Sequence, residues 1–437
     1  MATPPMCWRS TLRSRRRRAE WQLCEKGRIA VRADTVHQLS TPLRVIMGGT
    51  PLLGRLTGIG HYTRQLLTAL QTNQLLAELK LWGDVTFMDS NPASQLVPTG
   101  HEGEPTESDY SAVAAIKRQI RARASRSYAA SWVYSRIAER VASARLAPYA
   151  DTHLYHAPNF ILPPYQGPKV VTIHDLSVLR FPEFHRRQMV EMCERGIQRA
   201  VAEGAHVITD AELVRQELMD EFGLPEERVT AVHLAPDVRC RPRTADECRG
   251  VLERFALTYR GFFLCVGTVE PRKNLLRVFE AYRAGRQAGL FDWPLVVVGA
   301  PGWKSSREHE VLGALCADGL ALYLRYLEDA ALHQLYAAAG LLVFPSLYEG
   351  FGLPAIEAQA SGSRVLTSRG SAMAEFVDAS TLLVDPRDTD AITAGLHEGY
   401  ASSPSTPVAV VRRTWQDVAA ETVAVYQRAE AELSVGN

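Results

Sequence analysis

Residues 344–357 read FPSLYEGFGLPAIE and join the end of an apolar run to a glycine-rich loop and a helix start. Pro354 suits the first residue of a helix, and Gly350 and Gly352 allow close approach of the backbone to a ligand. The free N–H groups of a helix start favour an anion. Because ligands of open α/β sheets bind beyond the carboxyl ends of the strands, this stretch predicts a phosphate-binding loop.

Two carboxylates, Glu349 and Glu357, flank the loop. An ionised carboxylate accepts hydrogen bonds from hydroxyl groups and cannot donate them. The pair would therefore suit a sugar on one side and a ribose on the other. The spacing alone leaves a second interpretation open, in which Glu357 only complements the helix dipole.

Short apolar runs alternate with helical patterns along the rest of the chain, as expected for buried parallel strands. The runs lie at residues 43–47, 170–173, 206–209, 229–232, 262–267, 295–299, 341–344, 364–367 and 382–384. We therefore predict an α/β fold with two doubly wound sheets joined near residue 240. The predicted boundaries are 1–42 for a disordered basic extension, 43–239 and 240–415 for the two domains, and 416–437 for a C-terminal helix.

Composition excludes several classes of protein. The net charge of +1 provides no overall attraction to nucleic acid, and no nucleic-acid partner is predicted. The seven cysteines are scattered without a CxxC pair, which favours a reducing cytosol over a disulfide framework or a zinc site. No apolar stretch reaches the roughly 20 residues of a membrane-spanning helix, and no secretory signal follows Arg15–Arg18.

Basic residues cluster near the N-terminus and again in residues 113–146. The first cluster is either a disordered extension or an amphipathic anchor on anionic lipid. The second is either a solvated helix face or a contact with an anionic membrane or a lipid diphosphate. Residues 91–108 between them are rich in Ser, Pro, Gly and Glu and predict a loop or a lid.

Arg272 and Lys273 follow an apolar run that ends at Gly267, so both can project over the ends of the strands. Cations placed there would stabilise the negative charge that develops on a departing phosphate. A solvated turn is the alternative. His174 likewise follows a predicted strand and would face the cleft, unless it is a structural residue. The neighbouring Asp175 could act on a substrate or cap a helix.

Gly58 and Gly60 form a GxG turn after the first strand. No suitably placed acidic residue follows the second strand, so a nicotinamide site is not supported. The two glycines would let the backbone approach a diphosphate or a sugar, with a simple turn as the alternative. Asp388-Thr389-Asp390 is interpreted as a helix cap, and His153 and His156 lack a third ligand. No metal site is predicted.

The string from Glu349 to Glu357 resembles the E-X7-E signature of the retaining glycosyltransferase family 4, whose members have the GT-B fold of two facing Rossmann-like domains. Further similar segments occur in the expected order over nearly all of the chain after residue 42. They are 58–63, 174–177, 180–185, 267–274, 299, 326–329 and 383–386. Residues 174–185 are similar to bacterial mannosyl- and rhamnosyltransferases of surface polysaccharide synthesis.

The resemblance implies a retaining, metal-independent transfer of a hexosyl unit from a nucleoside diphosphate sugar, which is a substrate and not a cofactor. It favours a GDP-linked mannose or a deoxy relative such as rhamnose. The acceptor would be a hydroxyl of a lipid-linked glycan in O-antigen or other polysaccharide synthesis. The reaction would occur in the cytoplasm, at the inner face of the plasma membrane. The cleft would lie between an acceptor domain, 43–239, and a nucleotide-sugar domain, 240–415.

The resemblance also implies residue roles. The implied catalytic residues are His174, Arg272, Lys273 and Glu349. The implied donor-binding residues are Gly58, Gly60, Tyr326, Leu327, Gly350, Phe351, Gly352, Leu353 and Glu357. Some members of the family carry an arginine near the position of Thr268. Because this chain has a threonine there, the separate roles of Arg272 and Lys273 are left open. A sugar-nucleotide epimerase and a non-catalytic partner subunit of the same fold remain alternatives.

Overall fold

The computed structural model describes residues 43–53, 56, 58–83, 85–89, 128–402 and 413–435, with backbone alone at 128–135 and 432–435. The predicted extension 1–42, the loop 91–108 and the basic residues before 128 lie outside these ranges. No helix in the described ranges is long and apolar enough to cross a membrane.

The N-terminal half of the chain forms a sheet in the order β3-β2-β1-β4-β5-β6-β7. All neighbouring strands are parallel except the pair β2 and β3. The strands are β1 (Arg44–Gly48), β2 (Glu78–Trp82), β3 (Phe87–Met88), β4 (Leu154–Ala157), β5 (Lys169–Thr172), β6 (His206–Thr209) and β7 (Val229–Ala231).

The C-terminal half forms a parallel sheet in the order β10-β9-β8-β11-β12-β13. Its third and fourth strands in space, β8 and β11, come from different parts of the chain and lie side by side at the sheet centre. The strands are β8 (Phe263–Val266), β9 (Leu295–Val298), β10 (Ala321–Leu324), β11 (Leu341–Phe344), β12 (Arg364–Ser368) and β13 (Leu382–Val384).

Helices connect the strands of both sheets. Those of the first half are α1 (Gly58–Thr72), α2 (Tyr128–Leu146), α3 (Ser177–Arg180), α4 (Arg187–Ala202) and α5 (Glu212–Phe222). Those of the second half are α6 (Arg249–Arg254), α7 (Leu275–Gln287), α8 (Ser306–Ala317), α9 (Asp329–Ala338), α10 (Leu353–Ala360), α11 (Thr389–Ala401) and α12 (Trp415–Val435). Gly223 ends α5 in the left-handed region at φ 64°.

Each sheet is covered on both faces. Val45 and Met47 of β1 enter one core and Ile46 enters the other, because successive side chains of a strand point to opposite faces. In the second sheet, Phe263 and Leu264 of β8 divide in the same way. Burial on both faces explains why these strands are continuous apolar runs.

The nine strands predicted from apolar runs are confirmed, with ends shifted by a residue or two. The strands β2, β3 and β10 were missed. β3 and β10 are sheet edges, and β2 lies next to β3. Glu78–Trp82 contains charged residues and Ala321–Leu324 is half-buried throughout, because a strand at or beside a sheet edge needs less apolar surface than a central one. The segment with His153 and His156, expected as strand and loop, contains the fully buried strand β4.

The C-terminal helix α12 returns to the first half of the chain and packs on α1 and on β4–β6. Its apolar side chains share one core with β1 and α1. A series of buried hydrogen bonds holds α12 against the first sheet. His156 of β4 bonds the Tyr426 hydroxyl of α12 at 2.7 Å and Thr172 Oγ1 of β5 at 2.8 Å, and Thr172 also bonds the Tyr62 hydroxyl at 3.0 Å. Burial lowers the pKa of His156 to about 3.

Tyr426→Phe is expected to lower the free energy of unfolding by about 1–3 kcal/mol, since it leaves a buried nitrogen of His156 without its partner. Urea unfolding at neutral pH measures the change. The matched control is Tyr400→Phe, which removes a hydroxyl bonded to Asp292 at 3.1 Å at the surface. An equal decrease in the free energy of unfolding of both variants would show that the buried hydrogen bonds of Tyr426 contribute no more than a surface hydrogen bond.

Candidate active site

A buried carboxylate between two cations lies at the carboxyl ends of β8 and β11. Glu349 follows β11, while Arg272 and Lys273 follow β8, so the adjacency of these two strands brings them together. Glu349 Oε2 lies 2.9 Å from Arg272 Nη1, and Oε1 lies 2.7 Å from Lys273 Nζ. Only 8% of the Glu349 side chain and 14% of each cation are exposed. Arg272 and Lys273 lie at the strand ends as predicted, whereas their pairing with Glu349 was not predicted.

The charges of this triad stabilise one another. Burial would raise the pKa of Glu349, but the charges of Arg272 and Lys273 lower it to about 2. Burial would likewise lower the pKa of Arg272, and the carboxylates of Glu349, Asp175 and Glu270 raise it instead. The Glu349 carboxylate and the Arg272 guanidinium therefore stay ionised throughout the physiological pH range.

Arg272 is also held by two further acceptors. Its Nη2 donates to Glu270 Oε1 at 3.0 Å, and its Nη1 donates to the carbonyl of Tyr348 at 3.0 Å. The Lys273 ammonium lies over the Phe344 ring at 4.9 Å from the centroid. The guanidinium is thus fixed by several contacts, whereas the lysine extends from the turn along Gly267.

The two glycines of the loop lie in close packing within the chain, and their approach to a ligand stays a prediction. Gly352 precedes α10 with φ 100°, a conformation that L side chains rarely adopt. Leu353 is the first helical residue and Pro354 the second, so the helix begins one residue earlier than predicted. A Cβ at Gly350 would lie 1.8 Å from the carbonyl oxygen of His174, which belongs to the other sheet. The loop is therefore pressed against the N-terminal half of the chain.

His174 is engaged on both ring nitrogens. Nδ1 lies 2.7 Å from Asp210 Oδ2, and Nε2 lies 3.0 Å from the carbonyl of Pro158. Burial would lower the pKa of His174, but the Asp210 carboxylate raises it. The ring is thus held between the Asp210 carboxylate and the Pro158 carbonyl, and a direct contact with a substrate stays a prediction.

Asp175 lies one residue before the N-cap position of α3, which Leu176 occupies. Its Oδ1 accepts a hydrogen bond from the N–H of Ser177, the first residue of α3, at 2.8 Å. Asp388 similarly accepts from the N–H groups of Asp390 and Ala391 at 2.9 and 3.1 Å, as predicted for a helix cap. Within the described ranges there is no group of three or more His, Cys, Asp or Glu side chains that could hold a metal ion.

Glu357 belongs to a second cluster, which the sequence did not reveal. It lies half-buried on α10, where burial and the nearby carboxylates Asp237 and Asp329 raise its pKa to about 7, against a lowering contribution from the Tyr336 hydroxyl. Arg239 bridges the two aspartates at 2.8 and 3.2 Å. This environment explains the shift without the helix dipole.

A side chain of α1 reaches the same cluster. Gln65 donates to Asp237 Oδ2 at 2.8 Å, and this contact joins the first half of the chain to the segment between the sheets. Residues 236–242, predicted as a linker, carry no helix or strand. They are nevertheless fixed by these contacts.

The remaining residues predicted to bind the sugar donor differ in their burial. Tyr326, 55% exposed, and the half-buried Leu327 follow the edge strand β10. Phe351 is buried, with its ring centroid 4.1 Å from that of Phe376, and Leu353 packs against the same core. These side chains support the loop, and their backbone atoms remain the candidates for donor contact.

Gly58 and Gly60 both lie in the first turn of α1. A Cβ at Gly60 would lie 2.8 Å from the carbonyl oxygen of Pro51, whereas one at Gly58 would meet no atom within 4 Å. Gly60 therefore serves close packing of the turn. Contact of either glycine with a donor stays a prediction.

Further contacts across the cleft were not predicted. Glu375, which follows β12, caps α5: its two carboxylate oxygens accept from the N–H groups of Glu212 and Leu213, each at 2.8 Å. The guanidinium of Arg186 lies over the Trp303 ring at 4.5 Å from the centroid. These partners are far apart in sequence, and no local pattern signals them.

Solved structures share this two-sheet arrangement. The catalytic domain of starch synthase IV from Arabidopsis thaliana aligns with 90% of this chain and 100% of its own, with a TM-score of 0.61 and 12% identity. WaaG, a glycosyltransferase involved in lipopolysaccharide biosynthesis, aligns with 90% of this chain and 99% of its own, with a TM-score of 0.57 and 14% identity. The fold is GT-B, as predicted.

Residues 256–405 match the sequence model of the family described as glycosyl transferases group 1. The chain is similar to group 1 glycosyltransferases, and the predicted resemblance is confirmed. It is 29% identical over 392 residues to O-antigen chain mannosyltransferase B of Escherichia coli, covering 88% of this chain and 100% of the relative.

A second relative matches a shorter stretch. The MMP α-(1→4)-mannosyltransferase of Mycolicibacterium hassiacum is 42% identical over 120 residues, which is 25% of this chain and 29% of the relative.

Gly350→Ala is expected to lower the free energy of unfolding by about 1–3 kcal/mol, since the added methyl group overlaps the carbonyl of His174. Gly313→Ala is the control, because a Cβ there meets no atom within 4 Å. In the middle of α8 this change should raise stability by about 0.5–1 kcal/mol. Urea unfolding of both variants is the measurement. A free energy of unfolding that is the same in Gly350→Ala as in the wild type would contradict the close contact with His174.

Glu357 should make stability depend on pH. Its pKa is about 7 in the folded chain against 4.5 as the ordinary value. Between these pH values the folded chain keeps a proton that the unfolded chain has lost, so the free energy of unfolding falls as pH rises. Relative to Glu357→Gln, the wild type should lose roughly 1–3 kcal/mol from pH 5 to pH 8. The measurement is urea unfolding of both proteins at several pH values in this range. If their free energies of unfolding change in parallel with pH, the raised pKa of Glu357 is refuted.

Proposed function

We propose that this chain is a retaining, metal-independent hexosyltransferase that uses a nucleoside diphosphate sugar as donor. The observation that carries the proposal is the buried triad of Glu349, Arg272 and Lys273 beneath the glycine-rich loop. Two fixed cations and a helix start face one point at the carboxyl edge of the second sheet. Such a point suits the diphosphate of a sugar nucleotide.

The cations act on the leaving group. Cleavage of the sugar–phosphate bond adds negative charge to the departing diphosphate, and Lys273, Arg272 and the amides near Gly352 and Leu353 stabilise that charge. Because these groups are already ordered, they need little rearrangement as the charge develops. They supply the electrostatic stabilisation that a metal ion provides in other transferases, and no cofactor is proposed.

The two glutamates hold the donor on either side of the diphosphate. Glu349 accepts hydrogen bonds from hydroxyls of the donor sugar, and Glu357 accepts them from the ribose. Backbone atoms around Tyr326 and Leu327 hold the base. Glu349 is engaged by both cations and is not proposed as a nucleophile. As the family resemblance implies, retention of configuration is ascribed to attack by the acceptor hydroxyl on the same face from which the diphosphate leaves, and the hydroxyl proton passes to the departing diphosphate.

Mannose is the proposed sugar and GDP the proposed nucleotide. The name of the Escherichia coli relative, O-antigen chain mannosyltransferase B, and its alignment over its full length support mannose. The proposed acceptor is a lipid-linked glycan of O-antigen or another surface polysaccharide, used at the cytoplasmic face of the membrane.

A peripheral contact with anionic lipid is part of this proposal. It is supported by the exposed Met189 and Met192 on α4, 44% and 36% exposed, beside the largely exposed Arg187. On α2, Arg136 is also largely exposed, with 64% of its side chain accessible.

The test is release of nucleotide by the purified protein from GDP-, UDP- and dTDP-sugars, with EDTA present and with a short lipid-linked acceptor. GDP-mannose should be the active donor, and EDTA should not lower the rate. Lys273→Ala and Glu349→Ala should each lower the rate by about 100-fold or more, the range for removal of one group that stabilises transition-state charge.

Lys169→Ala is the control, because Lys169 pairs with Glu203 in the first sheet, away from the triad. Turnover of the sugar nucleotide without an acceptor, to an isomeric sugar, would indicate an epimerase. Absence of both turnover and nucleotide binding would leave a non-catalytic partner subunit.

A further inference from the structure

Tyr348, the residue before Glu349, reaches across the cleft. Its hydroxyl accepts a hydrogen bond from the N–H of Leu176 at 3.2 Å and donates one to Glu217 Oε2 at 2.5 Å. Leu176 lies in the loop after β5 and Glu217 lies on α5, so both partners belong to the first half of the chain. Only 9% of Tyr348 is exposed.

The other end of the same residue contacts the triad. The carbonyl of Tyr348 accepts from Arg272 Nη1 at 3.0 Å, and this nitrogen also lies 2.9 Å from Glu349 Oε2. One residue therefore joins the guanidinium that faces the donor to the loop that follows β5. A small displacement of Tyr348 would move both the carboxylate and the cation.

The hydroxyl group, rather than the ring, is the informative part of Tyr348. The ring packs against Phe181 with centroids 5.8 Å apart, a contact that phenylalanine would make equally well. A buried hydroxyl costs free energy unless it is hydrogen-bonded. Leu176 and Glu217, the hydrogen-bond partners of this hydroxyl, both lie across the cleft, so separation of the two halves breaks both bonds.

Glu217 is itself held in place. Its Oε1 lies 3.7 Å from Arg180 Nε, and Arg180 Nη1 lies 3.3 Å from Glu221. The Glu217 side chain is 21% exposed. The acceptor for the Tyr348 hydroxyl is thus oriented by charges of the first half of the chain and not by the loop that carries the triad.

We propose that Tyr348 and Glu217 form a positioning pair that holds Glu349 and Arg272 in register with the acceptor side of the cleft. The inference rests on the proposed function, since it assigns the pair to the donor site described above. The hydrogen bond forms only when the two halves meet, and so the triad reaches its working position only in the closed arrangement. Tyr348 and Glu217 do not touch the reacting atoms.

The kinetic test compares Tyr348→Phe, Glu217→Ala and Glu217→Gln with the wild type, with GDP-mannose and the lipid-linked acceptor. Tyr348→Phe and Glu217→Ala should each lower kcat by about tenfold, in keeping with loss of a hydrogen bond to a charged group. The KM for the donor should change less than about threefold, because the groups that bind the donor remain. Glu217→Gln keeps an acceptor oxygen and should restore most of the kcat lost in Glu217→Ala.

Tyr400→Phe is the matched control, since it also removes a tyrosine hydroxyl bonded to a carboxylate but lies away from the cleft. The double variant Tyr348→Phe/Glu217→Ala should be no slower than the slower single variant, as expected for two members of one contact. Multiplication of the two losses, or an unchanged kcat in Tyr348→Phe, would overturn the proposal.

Hydrogen–deuterium exchange tests the same pair without any activity. In Tyr348→Phe, exchange should accelerate in residues 345–352 and in residues 174–180, and Tyr400→Phe should leave both segments unchanged. An inactive wild type with this exchange pattern would refute the proposed function and retain the positioning pair. Unchanged exchange in Tyr348→Phe would refute the pair whatever the activity.

Discussion

The ion pairs of Glu349 with Arg272 and Lys273 are the contacts on which the rest of the site depends. A carboxylate with so little exposure would be protonated without a partner, since burial disfavours its charged form. The two cations keep it ionised, and it in turn fixes them at the strand ends. This arrangement requires β8 and β11 to be neighbours, and the sheet order provides that adjacency although Glu349 lies 77 and 76 positions from Arg272 and Lys273.

A second constraint is that the site is complete only when the two sheets meet. Gly350 touches the carbonyl of His174, and Glu375 supplies the cap that α5 lacks in its own half of the chain. Gln65 and Asp237 make a further contact at the side where Glu357 lies. The two halves are thus held together by close packing at Gly350, by helix capping, by hydrogen bonds and by apolar contacts such as that between Tyr348 and Phe181.

The first sheet depends on the far end of the chain. The helix α12 was expected as a separate C-terminal element, and the structure places it in the core of the first half, where Tyr426 bonds His156. The chain therefore crosses between the halves twice, once near residue 240 and once before α12. Two crossings limit the ways in which the halves can move relative to each other, and the loops at the cleft are held in register as a result.

The sequence by itself determined the α/β class, the central parallel strands and the loop from Glu349 to Glu357, because burial on both faces demands continuous apolar runs and a helix start after glycines is a local feature. It did not determine what His174, Glu357 and Tyr348 contact. Tyr348 and its acceptor Glu217 lie 131 positions apart, and His174 lies 36 positions from Asp210. Such partners, and the pKa values they set, depend on which elements the fold brings together, and only the tertiary structure decides that.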